Sequence, residues 1–339
     1  LVSMKDIAKR CGVSIATVSK ALNDHSDIGE ATKQKIVAVA KEMGYFPNSS
    51  ARALKTNRTY NLGVLFVDAA RNGLRQDHFS SMLDSFKNTA ESQGYDITFI
   101  NSNPSRGNRM SYLEHSKYRG FDGVVIACVN FSDPQVQELI RSDIPVVTID
   151  HVFDNRMAIM SDDLGGISDL VRYIHSQGHT KIAYIHGADS SVTRNRVVGY
   201  YRTMEELGLD VPDYYVIEGK YRRPDTAAEF TKQLLSLPED KRPTCIMYPD
   251  DYACIGGINA IKEMGLSIPE DISVAGYDGI DIAKVLEPKI TTLEQDTMTM
   301  GKTAAEKLIS LIEKPKTLAI EKITISGWVL SGDSVRKLN

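Results

Sequence analysis

The sequence predicts an α/β protein: a three-helix helix-turn-helix head followed by a two-lobed body of doubly wound parallel sheets. Three observations carry that expectation. Two short capped helical segments and a third amphipathic one fill the N-terminal stretch. From Leu62 onward, short apolar strands alternate with amphipathic helices, and the alternation restarts after Ser161. A chain of 339 residues is also too long for one core, so two or three domains are expected.

Ser3 with Asp6 makes a near capping box for a first helix, and Ser14, just after the turn glycine Gly12, caps a second. Ile7, Ala8, Val18, Ala21 and Leu22 recur at helical spacing and give each helix one apolar face. A third segment, Glu30 to Met43, adds Ile36, Val37 and Ala40 to the same small core. The second helix is then free to project Ile15, Ala16 and Lys20 outward, as a recognition helix does in a major groove. Lys20 suits guanine O6 and N7, a contact that discriminates by about 1–3 kcal/mol, and Ile15 with Ala16 suits a thymine methyl. Ser14, Thr17, Ser19 and Asn23 suit phosphate bonds, which position the helix without reading sequence.

Charge supports the division. Residues 1–59 hold ten Lys/Arg against five Asp/Glu, so the head carries +5 and the remainder −9 of the net −4. A basic head on an acidic body is the electrostatic pattern of a nucleic-acid reader whose body does other work. Cys11, Cys128, Cys245 and Cys254 are scattered, with no C-x-x-C pair and no histidine partner at zinc spacing, so neither a disulfide nor a metal is expected. His175 and His179 are four apart, but Gly178 lies between them at a helix end, and they read as unrelated surface imidazoles. No apolar run is long enough to span a bilayer and the N-terminus reads as a capped helix, so a cytoplasmic protein without a membrane partner is expected.

After the head comes Pro47-Asn48-Ser49-Ser50-Ala51-Arg52-Ala53-Leu54-Lys55-Thr56. The patterns V-S-x-x-T-V-S (from Val13), L-N (Leu22-Asn23), G-Y-x-P-N (from Gly44) and A-R-x-L-K (from Ala51) resemble the lactose and purine repressor family, the LacI/GalR type. The resemblance runs over nearly the whole chain. It implies a hinge helix in which Leu54 wedges between base steps of the minor groove, with Asn48, Arg52 and Lys55 beside DNA. A segment of about eight residues is too short to stay helical alone in water, so it would order only when two copies pack together on DNA. One head makes few contacts, so a homodimer on palindromic double-stranded DNA is expected. No leucine heptad follows Trp328, so the tetramer-forming tail of one branch of the family is missing.

In the body, 62–67, 97–100, 123–127 and 146–149 read as buried parallel strands, with helices near 79–93, 108–119 and 133–141. The second set has strands at 182–185, 215–217, 244–247 and 272–275, with helices near 163–177, 194–207, 225–237 and 251–264. A strand at 291–293, a helix near 298–313 and a last segment near 320–330 return across both lobes. Two successive sets of this kind suggest two doubly wound lobes, and the resemblance implies a periplasmic-binding-protein-like body. The expected divisions are 1–47 for the head, 48–60 for the hinge, and 61–339 for effector binding and dimerisation. Within that last part, one lobe takes 61–161 plus 292–321 and the other takes 162–291 plus 322–339.

Two such lobes place a cleft at the carboxyl ends of their strands. Asp150 ends one strand, Arg196 opens a helix, Tyr221 follows a glycine and Asp278 follows a strand in Ala275-Gly276-Tyr277-Asp278-Gly279. Carboxylates with an arginine bind vicinal hydroxyls well, each charged hydrogen bond being worth roughly 1.5–3 kcal/mol without water, and a tyrosine face stacks on a ring. In proteins resembling this one the positions matching Asp150, Arg196, Tyr221 and Asp278 face the effector. Asp251 reads as a helix N-cap, and Asp250 stands where the family often has an asparagine contact. The loop Asp68-Ala69-Ala70-Arg71-Asn72-Gly73-Leu74-Arg75-Gln76-Asp77-His78-Phe79 is about three residues longer than the family pattern, and it offers Asp68, Arg75 and Asp77 to a ligand. The effector is expected to be a small polar molecule, a sugar before a purine.

The chain lacks what the competing readings need. No G-x-G-x-x-G follows the first strand, Gly301-Lys302-Thr303 has Asp296 where a Walker loop needs glycine, and neither G-x-S-x-G nor H-E-x-x-H occurs. A metabolic enzyme is therefore not expected, and no cofactor. A transporter's solute-binding protein would share the body but have an export signal and no basic head. The expected function is a DNA-binding transcriptional repressor whose operator affinity a bound effector controls.

Overall fold

The computed structural model describes residues 2–46, 58–67, 73–101 and 110–338. Leu1–Thr59 and Tyr60–Asn339 form separate compact units. The first holds α1 (Met4–Cys11), α2 (Ile15–Leu22) and α3 (Glu30–Glu42). Asp6 accepts from the backbone and the hydroxyl of Ser3, at 2.9 and 2.6 Å, and Ser14 Oγ accepts from Thr17 N at 3.0 Å, so both expected starts are made by the expected side chains. Ile7, Ala8, Cys11, Val18, Ala21, Ile36 and Ala40 form the core. Val37 was expected in it but is 48% exposed. It lies one position round the helix from the Ile36–Ala40 stripe, and Val39 and Met43 flank that stripe instead.

The second unit contains two six-stranded sheets. The N-lobe sheet runs β11-β5-β4-β3-β1-β2, from β1 (Asn61–Phe66), β2 (Asp96–Phe99), β3 (Gly123–Ala127), β4 (Val146–Ile149), β5 (Met157–Ser161) and β11 (Lys322–Ile325). The C-lobe sheet runs β12-β10-β9-β8-β6-β7, from β6 (Ile182–His186), β7 (Val216–Glu218), β8 (Cys245–Met247), β9 (Ser273–Asp278), β10 (Thr291–Glu294) and β12 (Trp328–Leu330). All neighbours pair parallel except β10 with β12. Parallel strands buried on both faces need apolar residues at every position, which is why Val124 to Ala127 read as a continuous run.

Helices cover both faces. The N-lobe uses α4 (Asp77–Ser92), α5 (Tyr112–Arg119), α6 (Pro134–Arg141) and α12 (Thr297–Glu313). The C-lobe uses α7 (Asp163–Ser176), α8 (Ser191–Glu206), α9 (Pro224–Leu235), α10 (Asp251–Glu263) and the short α11 (Asp281–Val285). One N-lobe core joins Leu62, Val64, Met82 and Phe86 to Met300, Ala304 and Leu308 of α12, so the late helix is integral to the first lobe. In the C-lobe, Ile246, Tyr248 and Ile258 pack on one sheet face and Tyr184, Tyr200 and Tyr277 on the other.

The chain crosses between lobes after β5, after β10 and after β11, which corrects the expected lobe divisions at the C-terminal end. Thr291–Glu294 pairs with β9 and stays in the C-lobe, and Lys322–Ile325 pairs with β5 and belongs to the N-lobe. Strand β5 itself had no forecast, because Met157-Ala158-Ile159-Met160 has few of the β-branched or aromatic residues that mark a strand. The antiparallel β12 follows from the last crossing. A Cβ at Gly327 would lie 2.3 Å from Glu294 O, so only glycine lets the chain run against the end of β10 and fold back along it.

Candidate functional site

Two faces concentrate the candidate residues. On the head, Ser14, Ile15, Ala16, Lys20 and Asn23 are exposed, and Thr17 and Ser19 are half-buried. Ile15 is 50% exposed beside fully buried Val18, so the outward apolar surface of α2 is distinct from its core stripe. Lys20 Nζ is paired with Asp27, and Asn23 Nδ2 donates to Ser19 O at 2.6 Å, so both would change partners on meeting a base or phosphate. Asn48, Arg52, Leu54 and Lys55 lie outside the described residues, as does Asp68.

The second face is built at the carboxyl ends of the strands of both lobes. From the N-lobe come Asp150, directly after β4 with φ +54°, and His78 in the first turn of α4. Asp150 Oδ1 accepts from Ser161 N at 2.8 Å, which ties the β4 end to the β5 end. From the C-lobe come Arg196 on α8, Tyr221 after β7, Asp250 and Asp251 after β8, and Asp278 at the end of β9. Arg196 is 4% exposed and is fixed on three sides. Its Nε donates to Asp163 Oδ1 at 2.8 Å, its Nη1 donates to Pro249 O at 3.2 Å, and its guanidinium lies 3.6 Å from the centre of the Tyr277 ring. Asp278 sits at φ +105° and accepts at Oδ1 from Gln295 Nε2 at 2.7 Å.

Tyr221 owes its position to a glycine. A Cβ at Gly187 would stand 2.1 Å from Tyr221 Cε2, so the ring lies flat on that backbone, and its hydroxyl is 2.8 Å from Thr193 Oγ1. Arg75 and Asp77 meet the other lobe directly. Arg222 Nη2 donates to Arg75 O at 3.2 Å, Tyr252 Oη donates to Asp77 Oδ2 at 2.8 Å, and the Arg222 guanidinium stacks 4.1 Å over the Tyr252 ring. Of the two carboxylates after β8, Asp250 and not the expected Asp251 is the N-cap. Asp250 accepts from Ala253 N at 2.8 Å and from Arg222 N at 2.7 Å, while Asp251 begins the helix and accepts from Ile280 N at 2.9 Å. Both Asp250 oxygens are therefore held by backbone donors.

Burial sets the electrostatics. It pushes Asp278 and Asp250 up to about 6; Arg196 and the Gln295 amide restrain Asp278, while the Asp278 charge adds to the rise at Asp250. Burial also raises Asp150, with Asp163 adding to it, and raises Asp163 against the pull of Arg196. His78 is pushed down to about 4 by burial, although Asp150 opposes this, so its imidazole is neutral at pH 7. The mutual influence of His78, Asp150, Asp163, Arg196 and Asp278 marks one polar cluster contributed by both lobes.

Sequence reasoning missed Asp163, His78, Gln295 and Tyr277. Asp163 carried a usable signal, an acidic pair with Asp162 opening a helix after a crossing, but it read as helix-start chemistry. Gln295 had none, since its bond to Asp278 depends on β9 and β10 lying side by side, and the part of Tyr277 depends on α8 bringing Arg196 over its ring. An open groove of about 360 Å³ lies between α4 and α12, lined by Ser85, Asn88, Thr89, Ser92, Met298, Thr299 and Lys302. It holds none of the buried charge that distinguishes the cleft. Among the described residues no group of three or more His, Cys, Asp or Glu side chains could hold a metal, and no helix is long and apolar enough to cross a membrane.

Comparison with known proteins matches both parts. Residues 3–48 match the model of bacterial regulatory proteins of the lacI family, and residues 171–335 match a periplasmic binding protein-like domain. The chain is 31% identical to the ribose operon repressor of Escherichia coli over 332 residues, covering 96% of this chain and 97% of that one. It is 29% identical to the HTH-type transcriptional repressor PurR of Vibrio campbellii over 343 residues, covering 100% of each. The fold matches the lac repressor dimer bound to operator and the anti-inducer ONPF with a TM-score of 0.82 and 24% identity, covering 99% of each chain.

Proposed function

Because the chain belongs to the LacI family of bacterial regulatory proteins, a family of DNA-binding transcriptional repressors, we propose that it represses as a homodimer on a palindromic operator, released or retained by a sugar held between its lobes. The observation that carries the effector half is the polar cluster joining Asp150 of one lobe to Arg196 and Asp278 of the other. Such a cluster is costly to bury and becomes useful when a ligand's hydroxyls complete its hydrogen bonds. A relative named for the ribose operon supports a sugar.

The DNA half rests on the exposed Ile15, Ala16, Lys20 and Asn23 of α2, with Ser14, Thr17 and Ser19 as phosphate contacts. Residues 1–47 act as the head and 48–60 as the hinge, where Asn48, Arg52 and Lys55 meet DNA and Leu54 wedges into the minor groove. Val285 and Ile282, 75% and 41% exposed on α11, give the body apolar surface for a second copy. A lac repressor of the same fold, crystallised as a dimer on operator, supports this assembly. A repressor acts where the DNA is, so the cytoplasm is the expected compartment.

Effector and operator are coupled through lobe orientation. A ligand gripped by Asp150 on one side and by Arg196 and Asp278 on the other favours one relative setting of the lobes, and so one spacing of the paired hinges. By linkage, operator must change effector affinity by the same factor. The test is selection of randomised duplexes with the full chain, followed by titration of the recovered site with and without monosaccharides. Recovery of a two-fold site whose affinity shifts with one sugar is expected; a non-palindromic site, or a site indifferent to every sugar, would refute the proposal.

A further inference from the structure

The cleft has hydrogen-bonding capacity that the protein leaves unused, and it is largely of one kind. Asp163 is 2% exposed and commits Oδ1 to Arg196, while its buried Oδ2 has no partner among the described residues. Gln295 is 8% exposed and turns its Nε2 to Asp278, which leaves its Oε1 buried and likewise unpartnered. Neither oxygen can donate while Asp163 is ionised and Asp278 holds the amide in that orientation. His78 Nδ1 is a third buried atom without a partner. Among the described residues Arg196 is the one deeply buried cation; it commits Nε to Asp163 and Nη1 to the Pro249 carbonyl, with its face on the Tyr277 ring.

An arriving ligand therefore meets acceptors that lack donors. A carboxylate or phosphate would bring only oxygen lone pairs against oxygen lone pairs, beside Asp150 and Asp278. A hydroxyl carries the missing donor. Arg196 faces the carboxyls of Asp150, Asp163 and Asp278 together, so an anionic ligand would add a further negative charge to the cluster.

We infer that the effector is an uncharged polyhydroxylated molecule whose hydroxyls donate to Asp163 Oδ2 and Gln295 Oε1, and that these two oxygens exclude its carboxylate- and phosphate-bearing analogues. The inference rests on the reading of the interlobe cleft as the effector site. It narrows that reading from small polar ligands in general to neutral polyols, and gives two side chains outside the expected set the part of choosing between them.

The test is calorimetric titration of the full chain with matched sets, each a neutral aldose, its uronic acid and its phosphate ester. Binding of a neutral member, with both anions at least about tenfold weaker, is expected. An anion that binds as well as its neutral parent would overturn the inference while leaving a sugar effector standing. Binding of purine bases but no member of any set would remove the sugar reading and the inference together. Asp163→Asn, confirmed folded by its thermal transition, supplies the second readout. It swaps the open acceptor for an amide, so the ratio of neutral to anionic affinity should fall by about tenfold. A merely structural part for Asp163 would weaken both ligands alike and leave that ratio unchanged, which would overturn the inference.

Discussion

Replacing Asp278 by asparagine should stabilise the unliganded protein while abolishing its response to effector. The side chain sits at the end of β9 at φ +105°, a conformation that asparagine tolerates better than most residues, and an asparagine oxygen can still accept from Gln295 Nε2. What the substitution removes is a charge. The Asp278 carboxyl is raised from its ordinary 3.8 to about 6, chiefly by burial, so ionisation favours the unfolded chain. Stability from this group is complete below about pH 3.8, is lost as pH rises to about 6, and changes little above that. A rise of this size corresponds to at most about 3 kcal/mol at pH 7.5 and about half of that at pH 5.

The variant should therefore gain up to about 3 kcal/mol at pH 7.5, and its advantage should shrink by about half at pH 5. Urea unfolding followed by Trp328, the single tryptophan and a C-lobe residue, measures both values. The same preparation, titrated with effector in the presence of operator, should show normal DNA binding and no dose-response. A variant less stable than the parent at pH 7.5, or equally displaced at the two pH values, would refute the electrostatic account. A preserved dose-response would remove Asp278 from the effector site.

Three further outcomes are expected. Ile36→Ala should cost the head about 2–5 kcal/mol, enough to unfold so small a core; DNA binding should vanish while the thermal transition of residues 60–339 is unmoved, and retained DNA affinity would contradict the assigned core. Asp27→Ala frees Lys20 from its ion pair and removes a negative charge from the DNA-facing side, so affinity at low salt should rise about threefold to tenfold, with a steeper salt dependence in an anisotropy titration. Unchanged affinity and slope would mean that Lys20 makes no DNA contact. Gly187→Ala would put a methyl group 2.1 Å from Tyr221 Cε2 and force the ring off its seat; effector affinity should fall at least about tenfold, and an unaltered binding isotherm would show that Tyr221 lies outside the site.

How much could be read in advance depends on the range of the forces involved. The helices of the head were legible because their caps and apolar stripes are local: Ser14 needs only Thr17, and Ile7 recurs with Ala8 and Cys11 on one face. The parallel strands were legible because burial on both faces writes an apolar run into the sequence, as from Val124 to Ala127. Met157–Ser161 stayed hidden because methionine and alanine announce no strand, and the β12 reversal stayed hidden because it depends on Gly327 meeting the backbone of Glu294, far away in sequence.

The site divides in the same way. Sequence alone determined that the chain has a basic helix-turn-helix head, a two-lobed α/β body, and polar residues such as Asp150, Arg196 and Asp278 at strand ends, because each is set by neighbours within a few positions. Only the tertiary structure decided that Arg196 pairs through Nε with Asp163, that Asp250 is a cap held by two backbone amides, and that Asp163 and Gln295 keep open acceptors. Hydrogen-bond satisfaction is a property of groups brought together from distant parts of the chain. No local pattern records which of a side chain's atoms will be left without a partner.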